Sequence, residues 1–197
     1  MRLTLFFITL SFVSCSQNEI VNPLNPKKPN TKLSNYIKQN QNDTTISQSL
    51  GSVSNGSLKN GKLVPFFGNN FSYFDETSYL SGRAFLNSKV LNTILDTYKV
   101  LETAQPNRKF KIMECAHKHG GKLWPHRTHQ NGLSADFMMP KLKNQKPYYG
   151  LDTIGVNHYW LNFNNKGQYS KDTSITIDFE SIAQHILLLQ KEAKKHR

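Results

Sequence analysis

Four of the chain's seven histidines fall between positions 117 and 129, and a carboxylate, Asp136, stands a little further on between the apolar residues Ala135 and Phe137. A carboxylate left without a partner among apolar side chains costs several kcal/mol, so any fold must bring Asp136 a cation, an Arg or Lys, or good hydrogen-bond donors. Imidazole nitrogens and carboxylate oxygens are usual ligands of zinc at about 2.0 to 2.2 Å, and ligand atoms at such distances must converge within a few ångströms of one another. His129 and Asp136 are separated by an extended reach of roughly 23 Å, so the chain has to double back between them. Asn131-Gly132 is a pair that permits such a reversal. A metal satisfies the need of Asp136, and so does a salt bridge or a cap. His126-x-x-His129 is a weak pattern alone, and a surface polar loop fits it equally well. His117 and His119, beside Gly120-Gly121, read as solvated loop residues, as do His185 and His196.

The two cysteines, Cys15 and Cys115, cannot build a disulfide framework, so the core is apolar, metal-clipped or both. With 197 residues and 37% hydrophobic content, one modest core is the expectation. Residues 1–14 read as a signal peptide, since Arg2 precedes the apolar run Leu3–Val13, too short to span a bilayer. Phe12-Val13-Ser14-Cys15 resembles a bacterial lipobox, which makes Cys15 a lipidation site and the protein a periplasmic or cell-envelope one, anchored to the outer membrane. Residues 15–46, rich in Asn, Gln, Lys, Ser and Pro, read as the lipidated Cys with a flexible tether. The remaining stretch, 47–197, reads as the folded domain, with Cys115 as a buried small hydrophobe.

Residues 47 to 79 read as turns and short irregular strands. Helical spacing of Val90, Leu91, Ile94, Leu95, Tyr98 and Leu101 predicts a helix over 88–103, capped by Asn87 or Ser88. Strands are expected over 109–115 and 135–139, and a hairpin from 158–163 and 169–177 around the Asn164-Asn165-Lys166-Gly167 turn. Asp178 is expected to cap a last helix with Phe179, Ile182, Ile186, Leu189 and Ala193 on one face. Strands interleaved with two helices, without regular alternation, indicate an α+β fold: a small antiparallel sheet with helices packed on it.

The run His126-Arg127-Thr128-His129-Gln130-Asn131-Gly132-Leu133-Ser134-Ala135-Asp136 resembles the signature of the penicillin-insensitive murein endopeptidases. These are zinc peptidases of the lysostaphin, D-Ala-D-Ala carboxypeptidase and hedgehog fold group, with the motif His-x-Ser-His-Gln-x-Gly-x-x-x-Asp. Thr128 stands in the place of the Ser. Ser47-Gln48-Ser49-Leu50-Gly51-Ser52 and Asn55-Gly56 are similar to the family's opening segment, so the resemblance covers roughly 47 to 140. It implies a hedgehog/DD-peptidase-like zinc fold and hydrolysis of D-alanyl to diaminopimelyl cross-links in peptidoglycan by a zinc-activated water. By the same resemblance His129 and Asp136 would bind catalytic Zn2+, and His126 would line the site or bind a second ion.

One departure stands out. The family takes its third ligand and catalytic histidine from a late His-x-His pair, and none follows Asp136 here. The catalytic residue is therefore left unassigned, and three explanations stand. The favoured one is a fragment of a longer product, incomplete at its C-terminus. The second is a degenerate member that binds cell wall without cutting it. The third makes His158 the third zinc ligand. The net charge of +12 suits anionic wall polymers or lipid headgroups. A secreted metal-dependent nuclease is a further class, but no basic stripe interleaves with the aromatic residues, so peptidoglycan and membrane are the expected partners and nucleic acid is not.

Overall fold

A computed structural model describes residues 30–196. The signal peptide, Cys15 and the first part of the tether lie outside the described residues. In chain order the elements are α1 (Thr31–Gln39), β1 (Gln48–Ser52), β2 (Asn55–Lys59), β3 (Lys62–Leu63), β4 (Phe71–Tyr73), α2 (Glu76–Leu80), β5 (Phe85–Leu86), α3 (Ser88–Ala104), β6 (Phe110–Ile112), β7 (Lys141–Lys143) and β8 (Lys146–Tyr148). A 3-10 turn (Gly155–Trp160), β9 (Gln168–Tyr169), β10 (Asp172–Ile177), α4 (Phe179–Ala193) and a closing 3-10 turn (Lys194–His196) follow. β8, β7, β10 and β9 form one antiparallel sheet in that order, and β1-β2, β3-β5 and β4-β6 form two-stranded pairs. The architecture is α+β, with one departure from an all-antiparallel expectation: β4 and β6 run parallel, Phe71 opposite Phe110 and Tyr73 opposite Ile112. A parallel pair needs a long crossover, which residues 74–109 provide with α2, β5 and α3.

The core lies between α3 and the β4-β6 pair. α3 follows the expected periodicity, with Asn87 accepting a hydrogen bond from the Lys89 N–H and Leu91, Ile94, Tyr98 and Leu101 buried. Tyr98 stacks on Phe71 at 4.7 Å, and Tyr73 meets Tyr79 edge-on at 5.1 Å. Such aromatic pairs add roughly 0.5 to 1.5 kcal/mol each beyond the area they bury.

Several expectations need correction. The tether does not extend to residue 46, because Thr31–Gln39 forms α1: the Asn30 side chain accepts from the Leu33 N–H, Leu33 is 1% exposed, and Tyr36 packs edge-on against Tyr79 at 5.7 Å. Asn42 then pairs with both main-chain groups of Leu63, tying the segment to β3. A short helix of polar composition is stable here through tertiary packing rather than propensity. The strand expected over 158–163 is instead the 3-10 turn Gly155–Trp160. The Asn164–Gly167 turn does form, with the Gly167 N–H donating to the Asn164 carbonyl, but only Phe163 bridges to Tyr169.

The last helix begins at Asp178 as expected, and Leu189 of the expected apolar face packs on the core with Ile182 half-buried, but the fully buried residues are Ser181, His185 and Glu192, while Phe179 and Ile186 are each 58% exposed and Ala193 is also exposed. Polar anchors set that rotation. Asp178 pairs with buried Arg108, and the Ser181 hydroxyl donates to Gln105 Oε1 at 2.8 Å. The segment 135–139 is extended but irregular. Asp136 donates to the Glu114 carbonyl and accepts from the Met113 N–H, so two residues face one, and Met138 donates to the Lys111 carbonyl. That two-against-one pairing is a β-bulge, a device that re-aims a side chain beside a site.

Candidate metal centre

The loop from His117 to Ala135 is held by the β1-β2 hairpin. The Gln130 N–H donates to the Val53 carbonyl, the Ser49 hydroxyl to the Asn131 carbonyl at 2.7 Å, and the Asn87 N–H to the Gly132 carbonyl. Gly132 makes the reversal at φ +74°, and a Cβ there would lie 2.8 Å from Leu58 Cδ2 and 2.9 Å from the Asn87 nitrogen. Only glycine satisfies both the backbone region and the space.

His129 sits at the other side of this reversal at φ +71°, a left-handed conformation uncommon for a residue with a side chain. Its N–H donates to Ser134 Oγ at 3.0 Å, and its ring Nδ1 lies 3.1 Å from the Ser134 carbonyl oxygen. The Ser134 hydroxyl oxygen also lies 3.1 Å from Nδ1; a proton on Nδ1 satisfies the carbonyl, which only accepts, and leaves the Nε2 lone pair for a metal. That Nε2 is 3.3 Å from Asp136 Oδ2, and His126 Nδ1 is 3.7 Å from the same oxygen. The two imidazoles stand nearly perpendicular, with ring centres 5.1 Å apart. His129 is 2% exposed, and Asp136 is half-buried.

One ligand atom from each of His126, His129 and Asp136 lies within 4.8 Å of the others, and among the described residues this is the one such group of three. Tetrahedral ligands at zinc distances are about 3.4 Å apart, so modest side-chain rotation closes the set. The donor types and the hydrogen bond that orients His129 both suit a divalent transition metal. Without a metal, burial opposes a charge on His129, but the adjoining Asp136 carboxylate outweighs it and the imidazole pKa is raised.

The structure brings His126 into the same group as His129 and Asp136, rather than to a separate position. His158 is outside the group. It sits in the 3-10 turn with Nδ1 3.1 Å from the Gly155 carbonyl oxygen and its ring edge-on to Phe74 at 5.6 Å, lining a trough that Asp136 also lines. Burial lowers its pKa. His117 reaches the Gly82 carbonyl oxygen at 3.1 Å, and His119 is exposed. His196 pairs with Asp96 at 2.8 Å. His185 is not a solvated helix residue: it is 6% exposed and packs on Tyr98, Phe110 and Phe137. Cys115 is buried, and burial pushes its thiol pKa far up, so it is an inert core residue.

Glu114 is the neighbour that sequence reasoning missed. It is 2% exposed, accepts from the Ser78 hydroxyl at 2.9 Å and pairs with Arg83 at 3.4 Å, while its Oε2 has no partner among the described residues. Arg83 also donates to the Trp124 carbonyl, linking this buried carboxylate to the loop that carries His126. A carboxylate between Met113 and Cys115 is the same signal that singled out Asp136, and the same argument finds it. Neither a family model nor a curated protein matches the chain.

Proposed function

We propose that the chain is a zinc-dependent endopeptidase of the cell envelope, hydrolysing D-alanyl to diaminopimelyl cross-links in peptidoglycan and held to the outer membrane by lipid on Cys15. The observation that carries this reading is the convergence of His126, His129 and Asp136 on one point, two neutral donors and one anion, at the turn whose sequence resembles the murein endopeptidase signature. The resemblance alone supplies the substrate class, and the hedgehog/DD-peptidase-like fold belongs to the same proposal.

Bound zinc would polarise a peptide carbonyl and acidify a water held beside it. The protein's own residues do the rest. Ser134 fixes the His129 tautomer and ring plane, so that Nε2 is aimed without reorganisation. Asp136 lowers the net charge of the centre and, when no metal is present, pairs with a protonated imidazole. His158, whose Nδ1 is committed to the Gly155 carbonyl, keeps Nε2 unprotonated near neutral pH because burial lowers its pKa. We assign it the role of proton acceptor in place of third ligand, since it lines the trough without joining the group of three.

The test is hydrolysis of purified cross-linked muropeptides followed by chromatography. Release of monomers with added zinc, abolished by chelator and by Asp136→Asn, supports the reading. Intact dimers after prolonged incubation with zinc-loaded protein contradict it.

A further inference from the structure

We propose that the outer edge of the extended segment Ala135–Met139 is a peptide-docking strand, on which an extended peptide adds as the next strand with its alanyl side in the adjoining trough. This rests on the peptidase reading and names how that substrate is held.

The main-chain groups of this segment divide by alternation. Asp136 and Met138 turn theirs to the strand carrying Lys111–Glu114, and Phe137 stands opposite Ile112 without bonding to it. Ala135 and Phe137 therefore direct their N–H and C=O groups away from that strand, and among the described residues neither makes a main-chain hydrogen bond. An unpaired edge is a template for another chain, and the partner that matches its alternating donors and acceptors at the strand repeat is an extended polypeptide.

Beside the edge lies a trough of about 450 Å³, lined by Asp136, Met139, His158, Tyr159, Ile182 and Ile186 among others. Met139, Tyr159 and Ile186 are 47%, 49% and 58% exposed, so the walls are open to a ligand. No Lys or Arg lines it. Apolar walls without a cation suit alanyl methyl groups and not the free carboxylate of a diaminopimelyl residue, which places the acyl side of the cross-link here. The rotation of α4 that leaves Ile186 exposed and Ile182 half-buried forms this wall. Because Asp136 lies between the two edge residues, a peptide paired with Ala135 and Phe137 runs past Asp136 at the spacing of neighbouring strands, roughly 4.8 Å.

The probe is a cross-linked muropeptide dimer whose scissile amide is replaced by a methyleneamine, added to the zinc-supplemented whole chain while amide hydrogen exchange is followed by NMR. The expected result is slowing of the Ala135 and Phe137 amides by about tenfold or more, with Asp136 and Met138, already bonded, unchanged. Phe137→Pro, which deletes one edge donor on a strand edge where proline is tolerated, is expected to weaken binding about tenfold while Phe137→Ala, which keeps the N–H, binds more tightly than the Pro variant. If Phe137→Pro does not fold, the exchange experiment still decides.

Binding without protection at Ala135 and Phe137, or no binding at millimolar probe, overturns the proposal. Cleavage of the ordinary amide is scored separately. Cleavage without edge protection removes this inference and leaves the peptidase reading, and edge protection without cleavage does the reverse.

Discussion

His129 carries two constraints that meet in one residue. Its backbone N–H is bonded to the Ser134 hydroxyl, and its ring Nδ1 lies 3.1 Å from both the Ser134 carbonyl oxygen and that same hydroxyl, so Nε2 is aimed at Asp136 before any ligand arrives. Removing the hydroxyl frees the His129 N–H and one of the two contacts at Nδ1, and leaves the ligand atom Nε2 in place. Ser134→Ala is expected to weaken zinc binding by about tenfold, within the range for lost orienting partners, as read by competition with a chromophoric chelator. Unchanged affinity would show that the backbone alone holds the ring. His158→Ala makes the opposite cut: zinc content is retained and muropeptide turnover falls by about 10² or more, the scale of a lost proton acceptor. Loss of stoichiometric zinc in that variant would return His158 to the role of ligand.

At the scale of elements, the reversal between His129 and Asp136 depends on Gly132. Gly132→Ala forces a Cβ against Leu58 and the Asn87 nitrogen at φ +74°, and a destabilisation of about 1 to 3 kcal/mol is expected in a denaturant titration. A change within a few tenths of a kcal/mol would mean that the loop rearranges without cost.

The same scale shows what the sequence could convey. α3 and its cap were legible because periodicity and an Asn before the first turn are local signals. The histidine-carboxylate group was legible because a carboxylate in an apolar stretch demands a partner. α1 was hidden, since one buried leucine and a tyrosine contact across 43 positions, Tyr36 to Tyr79, stabilise a helix whose composition reads as tether. The buried face of α4 was hidden for a related reason: the Arg108–Asp178 and Gln105–Ser181 contacts that rotate it pair residues 70 and 76 positions apart in the chain, beyond any window of periodicity.

Across the whole molecule, α4 docks on α3 and β6 through a histidine. His185 Nε2 has no hydrogen-bond partner among the described residues, and the rings of Tyr98, Phe110 and Phe137 surround it, so burial lowers its pKa to about 4. An unfolded histidine titrates near 6.5, so between these values the unfolded chain binds the proton and the folded chain does not. The stability this neutral imidazole contributes is present above about pH 6.5 and lost as pH falls through about 4, by roughly 3 kcal/mol at full effect. His185→Phe is expected to flatten that limb of a stability-against-pH curve. An identical limb in the variant would assign the acid sensitivity to another group.

A zinc enzyme requires that His126, His129 and Asp136 hold a metal. The most direct measurement is elemental analysis of the purified whole chain after dialysis against trace zinc, alongside His129→Gln and Asp136→Asn. One zinc per chain, absent from both variants and retained in His158→Ala, is the expected result. A metal-free wild-type chain, or equal zinc in wild type and Asp136→Asn, would contradict the account.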